Sequence, residues 1–202
     1  MATEDLSEMS PSDFIDDFSD VLMSIPNPDG EPTIGVIDTL FDSRVYFSTW
    51  VEYHQMIDPE IPIESKDFRH GTGVSSIIVD GPKLNPWLDD GCGWFRVRHF
   101  GIATGGNFSS FTIIKKIREI VSSNLDIKVW NISLGSNQEI NDNFISAEAA
   151  VLDQIQFQYD VIFVIAGTNK TVPDIEKIGS PADSINGIIV NSVTKQGLST
   201  NY

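Results

Sequence analysis

The sequence holds little cysteine, few basic residues and no long apolar run. Cys92 is the single cysteine, so the chain forms no internal disulfide, as expected in a reducing compartment. The 13 lysines and arginines stand against 29 aspartates and glutamates, and the net charge of -16 repels nucleic acid and anionic membranes. The longest apolar run, at 161–166, is far shorter than the roughly 20 residues that cross a bilayer. The N-terminal segment MATEDLSEMS is acidic where a secretory signal needs basic residues, so we expect a cytoplasmic protein.

The chain does contain enough apolar residues for one folded domain. Of its 202 residues, 41% are hydrophobic and 10% aromatic, which excludes a disordered or fibrous protein. Residues 1–30 hold eight acidic residues and no basic one. Apolar side chains recur in this segment at helical spacing, at Phe14, Phe18, Val21, Leu22 and Ile25. We predict an acidic leader over 1–30, with a short amphipathic helix that packs on the domain or serves as a docking arm, and a single domain over 31–202.

From Thr33 onward, short β-rich apolar runs alternate with helical patterns. The predicted strands are 33–38, 96–100, 127–132, 161–166 and 187–193. Between them, helices are predicted at 71–79, 110–124 and 143–157. This alternation is typical of an α/β fold in which helices connect the strands of a parallel sheet. The remaining long stretch, 41–69, is predicted to be a loop that either borders a binding site or belongs to the ordinary surface.

Three polar side chains stand at the ends of predicted strands or at the start of a predicted helix. Asp38 ends the strand in IGVIDT, His70 opens the run HGTGV, and Asn169 follows the run VIFVIAGT. Each of them alone also fits a turn, a helix cap or a core residue. Together with the small residues of NISLGS, they are parts that acyl transfer requires. The carboxylate orients the imidazole, the imidazole takes a proton from a hydroxyl nucleophile, and the amide donates to the oxyanion.

These motifs, in this order, resemble the subtilisin-like serine proteases, or subtilases. The resemblance extends over about residues 33–202 and includes IGVIDT, HGTGV, the SLG strand end, AGTN and the later run SPADSINGIIVNSVT. It implies a three-layer subtilisin-like α/β fold, in which a mainly parallel sheet is flanked by helices. It also implies that Asp38 is the triad aspartate, His70 the general base and Asn169 the oxyanion donor. The residues implied to bind substrate backbone or to line the specificity pocket are Ser133, Leu134, Gly135, Ala166 and Gly167.

The sequence departs from the subtilase pattern at three places. Leu40 and Thr168 stand where the family usually has glycine. In addition, the G-T-S-x-x-x-P segment that carries the nucleophilic serine of the family does not occur in the sequence. We therefore expect the serine and the C-terminal part of the fold to be missing from this chain, and the chain alone to be inactive. Without the nucleophile helix, apolar sheet surface should stay uncovered, so we also expect self-association.

The resulting prediction is a serine endopeptidase of subtilisin type that hydrolyses protein or peptide substrates. The alternative is a non-catalytic module of the same fold, a pseudoprotease that binds extended peptides. The acidic composition favours basic side chains in some substrate subsites. The likeness to intracellular subtilases with short leaders also suggests an ATPase partner, of which the residues themselves give no sign.

Other chemistries find less support in the residues. Cys92 and His99 would make a thiol–imidazole pair, but no orienting motif surrounds them. The histidines and Cys92 lack the spacing of a zinc site, so no metal ligands are predicted. The runs GCG and GTG fall short of a nucleotide-binding glycine motif. Calcium fits the excess of acidic residues, yet no Asp-x-Asp loop marks a site, and no other cofactor is expected.

Overall fold

A computed structural model describes residues 25–84, 91–104, 109–135, 140–167 and 178–191 of the chain. The helix predicted in the acidic leader falls on residues that are almost all outside this part. Within the described residues, no helix is both long and apolar enough to cross a membrane.

The described residues form a six-stranded parallel sheet with three α-helices. The strands are β1 (Thr33–Asp38), β2 (Val51–Gln55), β3 (Arg96–Gly101), β4 (Val129–Ile132), β5 (Ile162–Ala166) and β6 (Ile188–Val190). The helices are α1 (Arg69–Leu84), α2 (Ser110–Ser123) and α3 (Ala147–Tyr159). The strands lie in the order β2-β3-β1-β4-β5-β6, and every neighbouring pair is parallel. The predicted α/β fold with a parallel sheet is confirmed, since each predicted strand and helix has a counterpart.

Two stretches differ from the sequence-based prediction. Residues 41–69 are not a loop throughout, because they contain β2 and short 3-10 helices at Ser48–Trp50 and Ser65–Phe68. The edge strand β2 was missed because its sequence VEYHQ is mostly polar and no residue in it is fully buried. Helix α3 begins at Ala147 instead of 143 because the Ser146 side chain caps it, accepting a hydrogen bond from a main-chain N–H of the first turn.

One face of the sheet is covered by α2 and α3. Side chains of alternate strand residues point to opposite faces, and on this face Ile37, Trp130 and Phe163 are fully buried. The Trp130 indole lies against Gly35 of β1, where an added Cβ would come within 2.2 Å of Trp130 Cε3. Glycine at this position therefore lets the indole pack directly on the neighbouring strand.

Among the described residues, α1 and the segment after β1 cover the opposite face over β2, β3 and β1. The apolar cluster on this side consists of Val36, Phe41, Phe47, Trp50, Val79 and Val97. Val79 belongs to α1, and the three aromatic residues come from the stretch between β1 and β2. This packing holds α1 against the sheet beside β1.

Over β4, β5 and β6, the same face carries apolar side chains that stay exposed. The strand register places Val36, Asn131, Val164 and Ile188 in one row, so these side chains share the α1 side of the sheet. The exposed fractions are 36% for Val129, 45% for Ile162, 51% for Ile188 and 49% for Val190. We call Val129, Ile162, Val164, Ile188 and Val190 the open apolar face. It lies beside α1, on the side of the sheet that carries Asp38.

Candidate active site

Asp38 and His70 meet at the carboxyl edge of the sheet. Asp38 is the last residue of β1 and is fully buried, whereas His70 lies in the first turn of α1. The distance from His70 Nδ1 to Asp38 Oδ1 is 2.7 Å. The pair therefore consists of a buried carboxylate and an imidazole whose side chain is 48% exposed.

Main-chain hydrogen bonds hold the Asp38 carboxylate at the end of the strand. The main-chain carbonyl of Asp38 accepts from the Ile102 N–H at 2.9 Å, which extends the ladder between β1 and β3. The Thr39 N–H donates to Asp38 Oδ1 at 2.6 Å. Asp38 Oδ2 is buried and has no hydrogen-bond partner in the part of the chain that the structure describes. The carboxylate therefore acts through Oδ1, which is shared by Thr39 and His70.

His70 is positioned by the turn that precedes α1. In this turn, Asp67 forms a capping box with the residue before the 3-10 helix. The main-chain carbonyl of Asp67 accepts from the Leu40 N–H at 3.0 Å, and the Thr72 hydroxyl accepts from the Asp42 N–H at 2.9 Å. The start of α1 is thus joined to the segment after β1 on both sides of His70.

The bond to Asp38 determines which nitrogen of His70 carries the proton. A carboxylate only accepts, so Nδ1 donates and Nε2 of the neutral imidazole keeps its lone pair. The hydrogen bond to Asp38 raises the pKa of His70, burial opposes this, and the charge of the carboxylate adds to the increase. In its neutral form, His70 is therefore ready to take a proton at Nε2 from a hydroxyl beside it.

The stability of the chain should depend on pH through this pair. Because the folded pKa of His70 is raised, the pair stabilises the fold fully below the ordinary pKa of 6.5, and this contribution is lost as the pH rises through the folded pKa. Burial lowers the pKa of His99, so the contribution of His99 to the unfolding free energy changes on the acid side instead. This contribution is lost as the pH falls from 6.5 toward the folded pKa of His99. We expect His70→Asn to remove the loss on the alkaline side only.

Urea unfolding over a series of pH values measures this effect. His54→Asn is the matched control, because His54 is an exposed histidine on the edge strand β2. If His70→Asn leaves the fall of the unfolding free energy with rising pH unchanged, the pair does not stabilise the fold.

Gly71 lets α1 approach the segment after β1. A Cβ at this position would lie 2.7 Å from the carbonyl oxygens of Thr39 and Leu40, and 2.9 Å from His99 Cε1. We expect Gly71→Ala to displace the start of α1 and to destabilise the fold by about 1–3 kcal/mol. Gly73, in the same helix, has nothing within 4 Å of such a Cβ, so Gly73→Ala should stabilise the fold by about 0.5–1 kcal/mol. Thermal unfolding should show effects of opposite sign, and equal effects would contradict the close approach.

The structure brings five of the other predicted site residues to the same edge of the sheet. These five are Ser133, Leu134 and Gly135 after β4, and Ala166 and Gly167 at the end of β5. Gly135 is exposed, and a Cβ there would meet nothing within 4 Å. Leu134 instead packs against the apolar cluster under α2 and α3. Asn169, like Thr168, lies outside the described residues.

Leu40 stands where the family usually has glycine, two positions after the aspartate, and the structure shows what this side chain does. Its side chain is fully buried, and its Cδ2 atom would lie 3.0 Å from a Cβ at Gly101 of β3. The leucine therefore fills the space that a glycine on the neighbouring strand leaves. The hydrogen bond between Asp38 and His70 forms beside it.

The alternative pair of Cys92 and His99 is wrong. Cys92 is exposed, whereas His99 is fully buried. His99 Nδ1 lies 2.9 Å from Ser75 Oγ, and His99 Nε2 lies 2.8 Å from the Thr39 carbonyl oxygen, so neither nitrogen is available to a thiol. Sequence reasoning missed that His99 belongs to the surroundings of Asp38, because the pairing of β3 with β1 is visible only in the strand order of the folded sheet. In the described part of the chain, no group of three or more His, Cys, Asp or Glu side chains is arranged to hold a metal ion.

The fold and the site together define an α/β protein with a parallel sheet, at whose carboxyl edge a buried aspartate is hydrogen-bonded to a histidine. The chain belongs to the Subtilase family, whose profile matches residues 29–202. No curated protein matches the chain in sequence.

Several solved protease structures share the fold. The Prenylagaramide maturation protease PagA is 18% identical with a TM-score of 0.61, and the match covers 86% of this chain and 58% of PagA. An alanine variant of the PatA protease domain is 16% identical with a TM-score of 0.61, over 84% of this chain and 60% of that domain. A lanthipeptide protease is 14% identical with a TM-score of 0.53, over 85% of this chain and 51% of its own. The chain thus spans less than two thirds of these proteins, and the predicted subtilisin-like fold is confirmed.

Proposed function

We propose that this chain is the part of a subtilisin-type serine endopeptidase that supplies the aspartate and the histidine of the triad. The observation that carries this proposal is the 2.7 Å hydrogen bond between Asp38 Oδ1 and His70 Nδ1. Because Nδ1 donates this hydrogen bond, Nε2 is the nitrogen that can accept a proton. The imidazole is half-exposed, so a hydroxyl group can reach it. Membership of the Subtilase family supports peptide-bond hydrolysis as the reaction.

The two residues have separate roles in the proposed reaction. His70 Nε2 removes the proton of a serine hydroxyl while the serine oxygen attacks the carbonyl carbon of the peptide bond. Asp38 stabilises the imidazolium that forms and keeps Nδ1 as a donor. His70 then passes the proton to the leaving amine as the C–N bond breaks, and water hydrolyses the acyl-enzyme by the same route. The Asn169 amide is proposed to donate to the oxyanion of the tetrahedral intermediate.

The serine is proposed to come from a segment that packs on the open apolar face. Among the described residues, no serine is hydrogen-bonded to His70, whose Nδ1 is hydrogen-bonded to Asp38. The sequence also has no G-T-S-x-x-x-P run. The open apolar face lies on the same side of the sheet as α1 and Asp38. A helix that covered this face and began at the carboxyl edge would bring its first residues, among them the serine, toward His70. Because the sequence has no such serine segment, we propose that the 202 residues alone are inactive.

A non-catalytic module that holds extended peptides is the second candidate. The lack of a G-T-S-x-x-x-P run favours it. The exposed end of β4 around Gly135 would still be able to pair with the main chain of a peptide. This candidate predicts peptide binding without hydrolysis.

Covalent labelling distinguishes the two candidates. A fluorophosphonate reacts with an activated serine, and we expect it to label the product of the whole gene but not its His70→Ala variant. The matched control is His54→Ala, since His54 is exposed on β2 and lies outside the proposed site. A complete, well-folded protein that does not label would rule out the endopeptidase and support the non-catalytic module.

A further inference from the structure

We propose that His99 is a positioning residue that holds Thr39, and through Thr39 the hydrogen-bonded pair of Asp38 and His70. This inference rests on the proposed function, because it assigns a role within the same site. The strand register places His99 beside Val36, and Gly101 beside Asp38, so His99 points to the face of the sheet that carries Asp38. His99 is fully buried there.

Both ring nitrogens of His99 have defined partners. Nε2 lies 2.8 Å from the carbonyl oxygen of Thr39, which only accepts hydrogen bonds, so Nε2 carries the proton. Nδ1 lies 2.9 Å from Ser75 Oγ and, in the neutral ring, accepts from this buried hydroxyl. Burial lowers the pKa of His99, while the Thr39 carbonyl and the charge of Asp38 oppose this. The neutral ring with a proton on Nε2 is therefore the form that matches the surroundings.

Thr39 connects His99 to the pair. Its N–H donates to Asp38 Oδ1 at 2.6 Å, and its side-chain Oγ1 accepts from the Gly71 N–H at 2.9 Å. The carbonyl of Thr39 accepts from His99. All polar groups of Thr39 are thus engaged, one with the carboxylate, one with the residue after His70 and one with His99. A change at the carbonyl is transmitted to both members of the pair because the three groups belong to one residue.

Apart from Ser75 and Thr39, the described neighbours of the His99 ring include aromatic side chains. The rings of Phe41 and Tyr53 lie with their centroids 5.6 Å from the imidazole. Burying a polar ring in such a place is unfavourable unless its nitrogens are hydrogen-bonded. The ring nitrogens make these bonds to Ser75 and Thr39, so the polar character of His99 serves to orient Thr39.

A matched pair of variants tests the donor separately from the packing. Glutamine and methionine have similar length, but only glutamine carries an N–H that can reach the Thr39 carbonyl. In NMR spectra of the chain, we expect the His70 Nδ1–H resonance and the raised titration midpoint of His70 to persist in His99→Gln. In His99→Met, we expect the resonance to be lost by exchange and the midpoint to fall. Tyr53→Phe is the control, because Tyr53 packs on His99 without a hydrogen bond to it and should leave His70 unchanged.

The proposal would be overturned if the His70 Nδ1–H resonance and the titration midpoint of His70 were the same in both His99 variants. It would also be overturned if this resonance persisted in a folded His99→Met. If neither variant folds, the 15N chemical shifts of His99 in the unchanged chain show which ring nitrogen carries the proton. A proton on Nε2 supports the proposal, and a proton on Nδ1 overturns it. In the complete protein, fluorophosphonate labelling of His99→Met should be slower by about tenfold or more. If the complete protein does not label at all, the proposed function fails, while the NMR result still decides the role of His99.

Discussion

Asp38→Ala in the complete protein is expected to reduce turnover by about 10⁴-fold while leaving the fold intact. The carboxylate is the partner of His70 Nδ1 at 2.7 Å, so its removal leaves the imidazole without an orienting acceptor and the imidazolium without a counter-charge. Turnover of a chromogenic peptide, or the rate constant of fluorophosphonate labelling, measures this loss.

Asp38→Asn separates orientation from charge. The Thr39 N–H requires an oxygen at the position of Oδ1, so the asparagine oxygen should stay there and accept from His70, while the NH₂ group takes the place of the unpaired Oδ2. We therefore expect Asp38→Asn to lose less activity than Asp38→Ala. Asp126→Asn is the control, since this exposed carboxylate pairs with Arg98 elsewhere on the sheet. Full activity in Asp38→Ala would contradict the assignment of the pair.

Lysine substitutions on the open apolar face should weaken the self-association that we expect of the 202-residue chain. Ile162 and Ile188 are 45% and 51% exposed on adjacent strands, so a contact with a second molecule would bury about half of each side chain. At about 1 kcal/mol for each, the loss of both weakens association by at least about thirtyfold, and burying a lysine adds to this. Sedimentation at several concentrations compares the chain with the double variant Ile162→Lys, Ile188→Lys.

The control for this experiment is Phe157→Lys, because Phe157 is 89% exposed on α3, on the opposite side of the sheet. It should associate like the unchanged chain. A monomer in Phe157→Lys, or no change in the double variant, would place the contact elsewhere. If a nucleophile segment covers the open apolar face in the complete protein, that protein should be insensitive to concentration, which links this test to the proposed function.

The strands were predictable from the sequence wherever burial left a clear pattern. The run IGVIDT is β1 at the centre of the sheet, and the burial of its last four strand residues matches a strand covered on both faces. The edge strand β2 was not predictable, because VEYHQ has one exposed face and its packing depends on aromatic residues of the preceding segment. Helix α3 was predicted with the wrong start because a serine cap is a weak signal among polar neighbours.

Local patterns in the sequence determined the parallel α/β class, the residue types at the strand ends and the likeness to the subtilases. Only the tertiary structure decided that Asp38 and His70 share a hydrogen bond across 32 positions of the chain. It also decided that His99 is a buried neighbour of Thr39, and that β4 to β6 expose apolar side chains on one face. Periodicity reports how each segment meets its immediate surroundings, whereas these contacts depend on strand order and register, which arise when distant segments pack together.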